Sequence, residues 1–233
     1  MALPKIDLPI FEGVLPSSGQ KFKYRAFTVK EEKILLVAQE SDDSAQGIIA
    51  IKQVVNNCLI DMDVSQLAMF DLEYVILAIR SKSVDNAIQF AIRDPETDEQ
   101  IELEFDIEEL KVETAEGHEK EVKISDEYTL FLKYPTIDEY IKISEMDPDD
   151  PLLNYIILVA CLDKVASEDE VFEFKNYTQT EVDEFMEGVS SNVIKGIEQF
   201  FATMPKLRHE IKYTNKNGKE GVFVVQGLNT FFL

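Results

Sequence analysis

The sequence predicts an α+β fold: an N-terminal helical bundle with a strand arm, antiparallel β-hairpins in the middle, and C-terminal helices that end in a β-hairpin. Three features lead there. Thr28-Val29-Lys30-Glu31, Thr136-Ile137-Asp138-Glu139 and Thr178-Gln179-Thr180-Glu181 each match a capping box, in which a threonine and the glutamate three residues on satisfy orphan N–H groups at a helix start. Residues 21–27 and 100–105 alternate polar and apolar side chains with the period of a half-buried strand. Asn217-Gly218 separates two strand-like runs, and Asn-Gly is a strong hairpin turn signal.

Residues 1–27 form the arm. Pro4, Pro9 and Pro16 fix φ and remove donors, which argues against a regular helix. Pro16-Ser17-Ser18-Gly19 is a turn signal. In KFKYRAF, residues 21–27, Phe22, Tyr24 and Ala26 face one way and Lys21, Lys23 and Arg25 the other. That is the pattern of an edge strand protected by its charges.

Residues 28–86 read as three or four helices joined by short loops, able to form a compact bundle. The first runs from the Thr28 box to about Glu40, with Leu35, Leu36 and Ala38 as buried candidates, and residues 41–47 break it. The second spans 48–58, with Ile48, Ile51, Val55 and Cys58 on one face, and Ser65 starts a brief third. The organising stretch is FDLEYVILAIRSKSVDNAIQF, residues 70–90. Asp71 is placed to cap a helix, and Leu72, Val75, Ile76 and Ile79 form its apolar stripe. Arg80 and Lys82 come near its end, where the helix dipole favours positive charge. Ser81, Ser83, Asp85 and Asn86 punctuate the exit, and 87–92 reads as a strand, so this stretch joins a helical layer to a sheet.

Residues 87–135 are an acidic antiparallel β region. Strands at 87–92 and 100–105 flank the turn Asp94-Pro95-Glu96-Thr97-Asp98, and further strands are expected at 121–124 and 128–134. Between them, 108–120 reads as an acid-rich loop with Gly117 and His118 at its tip. Residues 136–204 return to helix. One helix runs from Thr136 to about Met146; Asp150 caps the next and Pro151 occupies its first turn. That helix, 152–165, is apolar almost all round and is expected as a central buried helix. Val171 to Phe174 is a short strand or extended link, and a long helix follows from Thr178 to about Thr203. Gly188 and Gly196 weaken that helix locally unless close packing explains them. Residues 205–233 are a hairpin and a tail whose Phe231, Phe232 and Leu233 need a cover, from their own domain or from another protein. The whole suits one or two compact domains.

The chain has 233 residues, 45% hydrophobic, and a formal net charge of -22. Such a balance repels nucleic-acid phosphates and anionic membrane surfaces, so neither is expected as a partner. It suits a soluble protein, or one with an acidic face for a positive one. Cys58 and Cys161 each lie in an apolar pattern and fit a reducing compartment better than a disulfide scaffold. There is no basic segment followed by an apolar run at the N-terminus, and 155–162 is too short to cross a bilayer. His118 and His209 are far apart, and no phosphate loop, nucleophile elbow, HExxH or CxxC motif is present. The acids lack EF-hand spacing. No catalytic residue, metal ligand or cofactor is therefore assigned.

Lys23 to Ser41, KYRAFTVKEEKILLVAQES, followed by AIKQVVNNC and by FDLEYVILAIRSKSV, residues 70–84, resembles the baseplate hub protein family of T4-type contractile-tailed phages. GLNTFF, residues 227–232, is similar to that family's end. The resemblance covers most of the chain, is strongest in the first ninety residues and weakest across the acidic middle. It implies a non-enzymatic hub subunit or hub assembly factor that binds other phage baseplate hub proteins and is capable of self-association. It would work in the host cytoplasm during assembly or reside in the virion tail baseplate. It also implies cysteines in the last hairpin, as in a small zinc ribbon, but Tyr213, Asn215 and Asn217 stand there and no cysteine does. The alternative is an acidic inhibitor or DNA mimic, based on the acid-dense residues 96–127. A carboxylate hydrolase is a third reading, since so many acids are present. Partner contact is expected around the organising helix, with Phe70, Glu73, Tyr74, Arg80 and Lys82 as candidates, because residues about 100° apart cannot all share its buried face. The same side chains also suit a structural role, with Tyr74 packed sideways and Arg80 paired with Glu73 or another acid.

Overall fold

The computed structural model describes residues 7–39, 44–84 and 86–227. Asp85, the expected end of the first helix at Glu40, residues 41–43 of the expected break, and the apolar tail at Phe231, Phe232 and Leu233 lie outside them. The fold is α+β. In chain order, the first elements are β1 (Ile10–Val14), β2 (Lys21–Arg25), α1 (Val29–Gln39), α2 (Ser44–Cys58), β3 (Leu59–Ile60) and α3 (Met69–Ser81). Then come β4 (Ala87–Arg93), β5 (Gln100–Asp106), β6 (Lys111–Glu113), β7 (Glu121–Lys123), β8 (Thr129–Leu132), α4 (Ile137–Ser144) and α5 (Leu153–Ala160). The last are β9 (Leu162–Ala166), β10 (Val171–Glu173), α6 (Gln179–Gly188), α7 (Ser191–Ala202), β11 (Lys206–Thr214) and β12 (Glu220–Gln226). They form two compact units, one from residues 1–113 and 206–233, the other from 114–205.

In the first unit β2 is not an edge strand. It pairs antiparallel with β1 on one side and with the two-residue β3 on the other. So short a strand, directly after a helix, leaves no alternation to read. Phe22 and Tyr24 are buried while Lys21 and Lys23 stay in solvent, as the period of two requires. α2 begins at Ser44, before the expected Ile48, and Leu36 is exposed on α1 rather than buried. The N-cap of α3 is Ala68, not Asp71. Asp71 lies buried in the first turn, where its Oδ1 accepts a hydrogen bond from Ser17 N at 3.0 Å and holds the turn of the arm.

Arg25 leaves the pattern of its strand. Its guanidinium donates to Glu31 Oε1 at 3.2 Å and to the Asn57 carbonyl at 2.8 Å, joining β2, the start of α1 and the end of α2. Glu31, almost fully buried, also accepts from Thr28 N at 2.9 Å and Thr28 Oγ1 at 2.6 Å. Burial alone would push this carboxyl up, but the hydrogen bonds from Arg25 and Thr28 and the Arg25 charge outweigh it and bring it down to about 2.

The other face of α3 meets the hairpins. Leu77 packs with Ile88, Phe105, Ile107, Leu110, Leu207 and Val225 in one core. Each such buried side chain contributes about 1.5–3 kcal/mol relative to exposure. The expected loop at 108–120 contains β6, which pairs antiparallel with the first residues of β11, Leu207 opposite Val112. Pairing across so long a sequence separation has no local signature. β11 and β12 close around the Asn217-Gly218 turn, where Gly218 takes φ +79°, a conformation that a side chain resists.

In the second unit four antiparallel strands run in the order β10-β9-β8-β7. The expected buried helix over 152–165 ends at Ala160, no residue of α5 is fully buried, and the chain continues as the inner strand β9. Leu162 and Val165 point into the core and Asp163 into solvent. A continuous apolar run does not separate helix from strand, and here pairing with β8 and β10 decides. The long helix expected from Thr178 is also two, α6 and α7, divided at Val189 and Ser190. Gly188 ends the first, and the break lets Val182 and Met186 share one core with Val193, Ile197 and Phe200. Gly196 is explained by contact: a Cβ there would lie 2.7 Å from Val122 Cγ1.

Candidate functional site

α3 distributes the five expected contact residues unequally. Phe70 and Glu73 are buried, Tyr74 and Arg80 half-buried, and Lys82, at the C-cap, exposed. Tyr74 packs sideways, edge-on to Phe22 with ring centroids 6.5 Å apart. Burial pushes the Glu73 carboxyl up to about 8. Arg80 is on the same side of the helix two turns on, and the two do not pair. Its Nε is buried without a hydrogen-bond partner among the described residues, and burial lowers its pKa. Of these five, only Tyr74, Arg80 and Lys82 keep surface in solvent.

The two histidines are occupied separately. His118 stacks on Phe200 at 5.0 Å and on Tyr134 at 5.7 Å, all within the second unit. Thr203 Oγ1 donates to the Gln199 carbonyl at 2.6 Å, so His118 Nδ1–H donates to Thr203 Oγ1 at 3.0 Å, while Nε2 accepts from the Tyr134 hydroxyl at 3.0 Å. Burial, and then Lys120, lower the His118 pKa and favour this neutral ring. His209 stacks on Phe105 and lies 3.3 Å from Glu109. Cys58 and Cys161 are free and buried, their thiols pushed up by burial to about 11 and about 12. Among the described residues no three His, Cys, Asp or Glu side chains are grouped to hold a metal ion, and no helix is long and apolar enough to cross a membrane.

A concave surface stands out on the second unit. A groove of about 530 Å³ is floored by Val165 and Val182 and walled by Tyr128, Phe172, Phe174 and Phe185, with Glu181 at its border. Phe174 meets Phe185 edge-on at 5.2 Å, and Tyr128 lies 6.4 Å from Phe172. Sequence reading passed over it, taking residues 171–174 only as a short strand or extended link and residues 178–203 as one long helix. The available signal was the density of rings in VFEFKNY, residues 171–177. On the first unit, Val29, Leu36, Val37 and Ile49 are exposed on the pair α1 and α2.

Comparison with known proteins bears on what these surfaces serve. The family model described as T4 bacteriophage base plate protein matches residues 9–233. The chain belongs to that family. No curated protein and no solved structure matches it. Membership gives this base plate protein a structural or assembly role in the phage tail baseplate, among other baseplate proteins. In that setting the exposed apolar and aromatic surfaces of the base plate protein are candidate contacts.

Proposed function

We propose that this protein is a subunit or assembly factor of the central hub of the baseplate, acting by binding other hub proteins and not by catalysis. The family match over residues 9–233 carries the reading. The likeness of residues 23–41 and 70–84 to hub proteins sharpens it. On α3 the contact is made by Tyr74, Arg80 and Lys82, since Phe70 and Glu73 are buried. Tyrosine and arginine side chains are enriched where binding energy concentrates, and these two keep part of their surface in solvent.

The test is affinity capture of the tagged chain at low salt from cells infected with the phage that encodes it. The wild type recovers tail proteins, and Lys82→Glu, at the exposed position of the three, recovers fewer with an unchanged melting curve. Recovery of no tail protein refutes the proposal. Mass spectrometry of purified virions beside the lysate then separates a resident subunit, found in both, from a departing factor, found in the lysate alone.

An acidic inhibitor or DNA mimic is the competing reading. It is favoured by the excess of acidic over basic side chains, 21 to 7, between Thr114 and Pro205. Its acid-dense stretch, 96–127, is divided between the two units at Glu113 and Thr114. Capture of a host DNA-binding protein that DNA displaces would favour it.

A further inference from the structure

We propose that the aromatic groove of the second unit is a docking site for an extended, basic segment of another protein, anchored by large apolar side chains. Three independent features of the site specify that occupant.

The first is the apolar interior. Phe172 and Tyr177 remain exposed at the mouth, while Val165 and Val182 are buried at the floor. The space suits one or two large side chains rather than a whole helix. Aromatic walls of this kind supply contact area at little cost in conformational entropy.

The second is the edge beside it. The sheet ends at β10, which pairs only with β9 among the described residues, Phe172 opposite Val165. Phe172 and Phe174 flank Glu173 and both line the groove. An extended segment added along β10 would find backbone groups open to pairing, and its alternate side chains would point into the groove.

The third is the sign of the rim. Glu181 borders the groove. Glu127, the chain neighbour of Tyr128, then burial and then Glu170 raise the pKa of the Tyr128 phenol, so the charge felt at that wall is negative. Glu173 ends β10 between Phe172 and Phe174, the latter just past the strand; its charge is met by Lys175, 3.0 Å away. The unit behind this rim carries three acids for each base, 21 to 7. An acidic segment would be repelled there, whereas lysine or arginine on either side of an apolar anchor meets complementary charge.

The test needs no other phage protein, so it is independent of the hub assignment. The probe is the labelled octapeptide Lys-Arg-Leu-Thr-Phe-Thr-Arg-Lys, whose Leu and Phe share one face of an extended chain. One control replaces its basic residues with Glu, and another replaces Leu and Phe with Ala. Binding to the full chain is followed by fluorescence anisotropy. The basic apolar peptide is expected to bind saturably, to weaken about tenfold or more between 50 and 500 mM salt, as exposed charge pairs are screened, and to outbind both controls. Phe172→Ala and Tyr177→Ala, at exposed positions that leave the melting curve in place, each weaken it about tenfold. Lys82→Glu, in the other unit, leaves it unchanged. Equal binding of the glutamate control, unchanged binding by both groove variants, or no saturable binding to folded protein overturns the proposal.

Discussion

Replacing Glu31 with Gln probes the junction that organises the first unit. The carboxylate is almost fully buried and takes hydrogen bonds from Arg25 and from both the backbone and hydroxyl of Thr28. Its pKa of about 2 compares with an ordinary value of 4.5. At about 1.36 kcal/mol per pH unit of difference, the ionised form contributes roughly 3 kcal/mol to folding. Because the folded value lies below the unfolded one, the unfolded chain takes up the proton first as pH drops. The contribution is present above about pH 5 and is lost as pH falls toward 2. Glutamine keeps the volume and an acceptor for Thr28, but removes the charge opposite Arg25. Glu31→Gln should therefore cost about 2–3 kcal/mol at pH 7 and much less near pH 3. Urea unfolding followed by circular dichroism at both pH values measures the difference. Arg25→Met should cost less in the Glu31→Gln background than alone, since the two share one interaction. A Glu31→Gln variant as stable as the wild type at pH 7, or one whose deficit is undiminished at pH 3, would refute the reasoning.

Glu73 should behave oppositely. Its folded pKa of about 8 lies above its unfolded value, so the stability linked to its bound proton is fully present below about pH 4.5 and is lost as pH rises through 8, by up to roughly 5 kcal/mol. Glu73→Gln should remove that loss, seen as a smaller decline in melting temperature between pH 5 and 9 than in the wild type. Gly196→Ala gains about 1 kcal/mol of helix propensity but sets a Cβ 2.7 Å from the stiff Val122 side chain. A net loss of about 1–2 kcal/mol is expected in chemical denaturation. Phe200→Ala removes a buried ring stacked on His118 and Tyr134 and should cost about 3–5 kcal/mol, with loss of the protected His118 ring resonance by NMR. Both cysteines should resist a thiol reagent until denaturant is added, because each thiol is buried and raised by burial to about 11 or about 12.

What the sequence determined by itself was local. The boxes at Thr136 and Thr178 are complete in the structure, each hydroxyl accepting from the glutamate N–H and each glutamate from the threonine N–H. β4, β5, β11 and β12 lie where alternation and turn residues put them, because a strand's period and a turn's φ requirement depend on neighbours within a few residues. The apolar stripe of α3 was legible for the same reason. Tertiary structure alone decided where distant segments meet: β3 beside β2, β6 beside β11, and Arg25 on Glu31 and Asn57. It also decided that Leu162 to Ala166 is strand, since partners on both sides outweigh the helical continuity of an apolar run. Of the candidate site, the sequence placed Tyr74, Arg80 and Lys82 on one helix, but exposure depends on what packs against that helix, and Phe70 and Glu73 are buried. The groove was out of reach, because its rings come from β10, the segment after it, α6 and the turn before β8, and only the folded chain brings these together. Periodicity can say which way a residue faces within its own element; what it faces is set by contacts far away in sequence.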